Sequence, residues 1–250
     1  MWRVTGGRRG RRSPAAGDGE TVQLLSAVAV AAALVLGTAA PASAHAPGEL
    51  DRQLLERERY FQPMNHEAPG FTLQDADGRT VRLADLRGKV VVLHFIYASC
   101  PDVCPLHAER IAEIQGMINR TPMKDQVQFV SITTDPARDT PDILRQFGPA
   151  HGLDPSNWLF LTAASDQADD STRKLAKAYG LEFTTTENGE QMHAVVTHVI
   201  DQGGHLRARF FSLKFEPTSL VLFVNDLVDD AWSERPRPGF WERLRGLLGS

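Results

Sequence analysis

The sequence has very little cysteine: its 250 residues contain only Cys100 and Cys104, both in the stretch FIYASCPDVCP (95–105). A proline follows each of them. With no third cysteine elsewhere, a disulfide between the two closes only a short loop, which removes little entropy from the unfolded chain. A disulfide staple is therefore the weakest of three interpretations, and a redox couple and half of a metal site remain open.

The chain also has no excess of basic over acidic residues. Residues 1–44 hold five arginines and two acidic residues, so without them the 27 basic and 31 acidic residues of the chain become 22 and 29, a net charge of −7. A nucleic-acid-binding protein needs a basic face, and this balance argues against that class. The charge does not identify another partner.

Residues 1–44 predict a secretory signal peptide, with an uncleaved N-terminal anchor as the alternative. A basic head precedes the apolar run TVQLLSAVAVAAALVLG (21–37), and ASA (42–44) is typical of a cleavage site. No cysteine directly follows that site, which disfavours a lipoprotein. We therefore expect an exported protein, in the periplasm or on the outer face of the cytoplasmic membrane, where paired thiols often oxidise.

The remaining chain alternates between strand and helix patterns, which predicts an α/β domain over residues 66–232. FTLQDADGRTVRL (71–83) predicts an N-terminal β-hairpin, and KVVVLHFIY (89–97) predicts a strand buried on both faces. Further strands and helices are predicted in the following ranges: a helix at 105–118, a strand at 127–135, a helix at 139–148, a strand at 157–163, a helix at 165–180, two strands at 193–211 and a helix at 216–232. This order indicates a thioredoxin-like fold with an added N-terminal β-hairpin.

Two flanking segments are predicted outside this domain. Residues 45–65 are polar and charged, with one helical stretch at 50–61. The tail at 233–250 is interpreted as a solvated terminus, with a weak membrane-surface contact as the alternative.

The cysteine spacing suits both redox and metal chemistry. Residues four apart on a helical turn lie about 6 Å from each other, and a helix N-terminus stabilises thiolate. Two thiolates and an imidazole would favour copper, especially Cu(I), or zinc. The metal hypothesis therefore requires a histidine.

All eight histidines follow residue 44, and spacing alone does not choose among them. His94 is interpreted as a hydrogen-bonded core residue and His107 as an exposed residue of the first helical turn. His193 and His198 are expected on opposite faces of one strand, so at most one can face a given site. The others are in loop-like segments or, for one, at the predicted mature N-terminus: His45, His66, His151 and His205.

Two motifs resemble the Sco/SenC copper-chaperone family: FIYASCPDVCP (95–105) and TTDPARDTP (133–141). The resemblance extends over roughly residues 66–228 and implies a thioredoxin-like fold. It implies that one copper ion is bound by Cys100, Cys104 and a distant histidine. In the family that histidine lies eight residues before an aspartate that ends a strand, and counting back from Asp201 selects His193.

The resemblance further implies delivery of copper to the CuA-bearing subunit of cytochrome c oxidase, and contact with another periplasmic copper chaperone. Some bacterial members resemble thiol–disulfide reductases that keep the copper-site cysteines of a partner reduced, which is the alternative function. The common reductase type carries Cys-x-x-Cys, whereas this pair is one residue wider. In the second motif, Asp135 and Asp139 are expected to shape the surface near the site or to form a salt bridge with Arg138, with a helix cap as the alternative.

Overall fold

The computed structural model describes residues 49–100, 103–185 and 191–233. The predicted export segment and the tail after residue 233 lie outside this range. The described helices are α1 (Glu49–Arg57), α2 (Val103–Asn119), α3 (Pro141–Ala150), α4 (Ser171–Ala178) and α5 (Pro217–Ser233), and short 3-10 turns lie at Leu83–Leu86 and Pro122–Gln126. The described strands are β1 (Phe61–Glu67), β2 (Thr72–Asp75), β3 (Thr80–Arg82), β4 (Val90–Ile96), β5 (Val127–Thr133), β6 (Trp158–Thr162), β7 (Phe183–Thr185), β8 (Gln191–His193), β9 (Val196–Ile200) and β10 (His205–Phe211).

Eight of these strands form one mixed sheet in the order β1-β10-β9-β4-β5-β6-β2-β3. The neighbours β4–β5 and β5–β6 are parallel, and the other pairs in the sheet are antiparallel. The parallel pairs are connected through α2 and α3, as parallel strands require. Strand β4 is therefore central, and all seven of its residues are buried, as its continuous apolar run predicts.

Alternate residues of β4 face two separate cores. Val90, Val92 and Ile96 belong to the core that also holds the buried isoleucines of α2 and apolar residues of α5. Leu93 and Phe95 face the second core, with the hairpin β2–β3 and α4. The predicted helical face of α2, Ile111, Ile114 and Ile118, is completely buried. The chain beyond β4 therefore emerges at the end of a rigid central strand.

The fold begins earlier than the sequence indicates. Helix α1 ends at Arg57, and Phe61, which was predicted to end that helix, is the first residue of β1. Strand β1 pairs with β10, and Leu54 and Phe61 are buried in the first core. The predicted domain boundary at residue 66 is thus too late. Strand β1 is an edge strand with mostly uncovered polar residues and a register shift after Pro63, so it has little of the alternation that predicts a strand.

Helix α3 continues beyond the glycine predicted to close it. Gly148 lies inside the helix, which ends at Ala150. A side chain at position 148 would collide with the ring of Trp158 on β6. The glycine therefore permits close helix–sheet packing rather than a helix end. Within the described residues, no helix is both long enough and apolar enough to cross a membrane.

Candidate metal centre

Cys100 and Cys104 lie where the sequence predicts, at the C-terminal end of a buried strand and the start of a helix. Cys100 follows β4 in a turn whose backbone closes through the Cys100 N–H and the Tyr97 carbonyl at 3.2 Å. Cys104 is the second residue of α2. Both are reduced thiols, and their exposures are only 7% and 2%.

The two cysteine side chains are within hydrogen-bonding contact, and the backbone N–H of Tyr97 donates to the Cys104 sulfur. Burial nevertheless raises the pKa of the Cys104 thiol well above its usual value, which outweighs the effect of the Tyr97 amide. Burial at Cys104 thus acts against the thiolate that a helix N-terminus was expected to stabilise. Because a metal requires the thiolate, metal binding must release the proton that burial retains.

The loop after β5 is hydrogen-bonded to the cysteine turn through Asp139. Asp139 is 1% exposed, and its Oδ2 accepts hydrogen bonds from the Ala98 N–H at 2.8 Å and from the Thr133 hydroxyl. Burial raises the pKa of its carboxyl group, and the hydrogen bonds from the Thr133 hydroxyl and from the Ala98 and Ser99 amides oppose that change. Asp139 is not a helix cap, because Thr140 occupies that position. Asp135 forms the ion pair with Arg138 that was one of the predicted alternatives.

His193 is the last residue of β8, which pairs with β7 in a separate two-stranded sheet. Its ring packs against Phe183 with the centroids 5.3 Å apart, and its Nδ1–H donates to the Ala194 carbonyl at 2.9 Å. That bond fixes the tautomer, so Nε2 carries the lone pair, and this atom is buried with no hydrogen-bond partner among the described residues. Burial lowers the pKa of His193 and keeps the ring neutral, the state in which imidazole binds a metal.

His193 and His198 are on different strands, since β8 ends at His193 and β9 begins at Val196. The prediction that His193 and His198 lie on opposite faces of one strand is therefore wrong, because no single strand contains both residues. His198 is fully buried in the second core against Phe95 and Tyr179, on the face of β4 away from α2. Burial lowers its pKa to about 3.

His94 and His107 form a buried pair on the α2 side of the sheet, with ring centroids 4.7 Å apart. His94 is a hydrogen-bonded core residue as predicted, with its Nε2 3.1 Å from the Ser131 hydroxyl. His107, predicted to be exposed, is only 2% exposed, and its Nε2 lies 2.9 Å from the Thr197 hydroxyl. Burial lowers the pKa of both histidines, and repulsion from neighbouring histidines lowers it further, with His198 the largest contributor for His94 and His94 the largest for His107.

The three predicted ligands are not assembled into one cluster. In residues 49–100, 103–185 and 191–233, no group of three or more His, Cys, Asp or Glu side chains is arranged to hold a metal ion. The two thiols are in contact, while His193 is presented by another pair of strands. The thiol pair is thus a soft, two-sulfur donor set that suits Cu(I) or zinc, and His193 offers a neutral imidazole nitrogen as a third donor.

The sequence reasoning did not assign Asp139 its contact with the cysteine turn. The only available signal was the second motif itself, because the 41-residue separation from Ala98 leaves no local pattern.

The central β4–β5–β6 sheet, the antiparallel strands β9 and β10 beside it, and the cysteine turn after β4 define a thioredoxin-like α/β protein. The SCO1/SenC family profile matches residues 61–223, and the chain belongs to this family.

The chain is 33% identical over 103 residues to the SCO1 protein homolog of Bacillus subtilis, a match that spans 41% of this chain and 52% of that relative. Its fold is similar to the SCO1/SenC family lipoprotein from Bacillus anthracis, with a TM-score of 0.59 and 29% identity over 66% of this chain and 97% of that one. It is also similar to Bradyrhizobium japonicum ScoI, solved with copper bound, with a TM-score of 0.53 and 25% identity over 64% of this chain and 99% of that one.

Proposed function

We propose that this protein is an exported copper chaperone that binds one copper ion through Cys100, Cys104 and His193. We propose that it delivers the ion to the CuA site of cytochrome c oxidase. The observation that carries the proposal is the pairing of two buried, reduced thiols with a neutral imidazole whose Nε2 has no described hydrogen-bond partner.

The chemistry of this donor set favours Cu(I), the soft cation that sulfur ligands select. Loading requires both thiols to give up their protons, because the thiolate is the metal ligand. A carrier with only three protein ligands leaves room for the ligands of a recipient, so the ion can pass by ligand exchange. The copper-bound structure of the Bradyrhizobium relative supports copper as the cargo.

An apolar surface next to the cysteines supports contact with a recipient. Val103 and Leu106, on the first turns of α2, are 37% and 50% exposed. Leu106 and Leu213 are the apolar residues of a surface cleft of about 300 Å³ that is also lined by the charged Glu109, Arg110 and Glu113. A recipient that covers this surface would exclude water from the copper during transfer. The CuA-bearing oxidase subunit and another periplasmic copper chaperone are the proposed partners.

Export through residues 1–44 is part of the proposal. The similar protein from Bacillus anthracis is a lipoprotein, which supports an exported, membrane-associated location. The residue directly after ASA (42–44) is His45 and not a cysteine, so the proposed route is a cleaved signal or an anchor rather than a lipid.

The second candidate is a thiol–disulfide oxidoreductase that keeps the copper-site cysteines of a partner reduced. The contact between the two cysteine side chains favours it, because neighbouring thiols close a disulfide when they reduce a partner. That reaction does not need His193, and this difference separates the two candidates.

The test is a Cu(I) titration of the reduced protein against a chromophoric chelator, for wild type, His193→Ala and the control His66→Ala. His66 is an exposed histidine on β1, so its loss controls for removal of an imidazole. We expect one tightly bound Cu(I) in the wild type and in the control. The His193→Ala variant should bind at least about tenfold more weakly, which corresponds to roughly 1.4 kcal/mol.

Equal affinity of wild type and His193→Ala would reject the three-ligand site. If, in addition, the protein reduced insulin disulfides and Cys100→Ser abolished that reaction, the oxidoreductase would replace the chaperone.

A further inference from the structure

Asp139 is a buried carboxylate that the copper ligand set does not use. It lies in the loop between β5 and α3, 41 residues from its backbone partner Ala98. Burying a carboxylate is costly unless hydrogen bonds compensate. Hydrogen bonds from the Ala98 amide, the Thr133 hydroxyl and the Ser99 amide compensate part of that cost.

The place where Asp139 contacts the chain suggests what the carboxylate does. The amide of Tyr97 donates to the Cys104 sulfur, and the next amide, that of Ala98, donates to Asp139. Cys100 then closes the turn through the Tyr97 carbonyl. These bonds constrain the backbone at Tyr97, Ala98 and Cys100, in the turn that carries the thiol pair.

We propose that Asp139 is a positioning residue for the thiol pair: it holds the cysteine turn through the Ala98 amide, so that both sulfurs present one geometry to the metal. It acts through the backbone and not as a ligand, since a carboxylate is a hard donor that suits Cu(I) poorly. The inference rests on the proposed copper site, but the geometry of the thiol pair can also be measured without metal.

The same loop provides a matched control. Asp135 has the same charge and lies four residues earlier, and its described side-chain partner is Arg138. Replacing Asp135 changes the charge near the site by the same amount without removing the bond to Ala98. For a general loss of stability, Leu181→Ala is the control, because Leu181 is buried in the second core.

The experiment compares Asp139→Ala, Asp139→Asn, Asp135→Asn and Leu181→Ala in the reduced protein. In the metal-free state, hydrogen exchange of the Ala98 amide should be at least tenfold faster in Asp139→Ala. The equilibrium of the two thiols with oxidised glutathione, which forms one Cys100–Cys104 disulfide and two reduced glutathione molecules, should shift at least threefold. Cu(I) affinity should fall about tenfold in Asp139→Ala.

Asp139→Asn retains an oxygen that can accept from Ala98, so it should lie closer to wild type in all three measurements. Asp135→Asn should match wild type, and Leu181→Ala should lose stability while the thiol equilibrium and the Cu(I) affinity remain unchanged. Wild-type values in Asp139→Ala for the thiol equilibrium would overturn the proposal. Equal losses in Asp139→Asn and Asp139→Ala with normal Ala98 exchange would also overturn it, because charge or ligation would then be the cause.

Failure of the wild type to bind Cu(I) would reject the proposed function alone. The Ala98 exchange and the glutathione equilibrium would still decide the role of Asp139.

Discussion

Replacing Gly148 by alanine tests whether helix α3 is locked onto the sheet as the structure shows. A β-carbon at this position would lie 2.1 Å from the nearest ring carbon of Trp158, closer than side-chain atoms can approach. The Trp158 ring would have to move. Its Nε1–H now donates to the Ser131 hydroxyl at 3.0 Å, and the Ser131 hydroxyl in turn lies 3.1 Å from His94 Nε2.

The expected magnitude combines three effects. Overpacking a core costs about 1–3 kcal/mol, and loss of the Trp158–Ser131 hydrogen bond costs about 0.5–1.5 kcal/mol. Alanine gains about 1 kcal/mol over glycine from helix propensity. We expect Gly148→Ala to lower the free energy of unfolding by about 1–3 kcal/mol.

The control is Gly116→Ala in α2, where a β-carbon would meet no atom within 4 Å. It keeps the propensity gain without the collision, so it should stabilise the protein by about 0.5–1 kcal/mol. Urea unfolding followed by circular dichroism measures both variants, and with a slope of about 2 kcal/mol per molar urea the midpoint of Gly148→Ala should fall by roughly 0.5–1.5 M. A Gly148→Ala variant as stable as Gly116→Ala would refute the packing of α3 on β6.

Two further predictions concern buried ionisable groups. Glu58→Ala should lower the free energy of unfolding by about 1–3 kcal/mol, because the buried Glu58 carboxylate accepts a hydrogen bond at 2.9 Å from the N–H of Glu216, the residue before α5. In urea unfolding, the control Glu56→Ala, at an exposed position, should be nearly neutral. Equal losses of stability in the two variants would contradict this role of Glu58. His198 is buried with its pKa lowered to about 3 from 6.5, so the unfolded chain binds more protons between these values and stability is lost as the pH falls below about 6.5. That loss is at most about 1.4 kcal/mol per pH unit for each such group. His198→Phe should flatten the dependence of unfolding free energy on pH between 7 and 4.5, and a curve as steep as that of wild type would contradict the assignment.

Local patterns in the sequence were enough for the central elements. The continuous apolar run of β4 predicted a strand buried on both faces, and Ile111, Ile114 and Ile118 predicted the buried face of α2. Because these signals arise from a strand or helix burying its own side chains, they do not depend on distant partners. The cysteine pair was located in the same way, by the strand before it and the helix after it.

Long-range contacts decided what the sequence could not. Strand β1 is recognised only by its pairing with β10, and His107 is buried only because α2 packs over His94 and Thr197. The apparent single strand through His193 is interrupted because that residue pairs with β7 rather than with the central sheet.

The sequence by itself therefore determined which residues can supply soft donors and that two of them follow a buried strand. Cys100 and Cys104 are close together because four residues of chain separate them, whatever the rest of the protein does. Only the tertiary structure decided that burial raises the pKa of Cys104, that His193 carries its lone pair on Nε2, and that Asp139 holds the turn beneath the thiols. The physical reason is that spacing along the chain fixes local distances, whereas burial and long-range hydrogen bonds exist only once distant segments have packed.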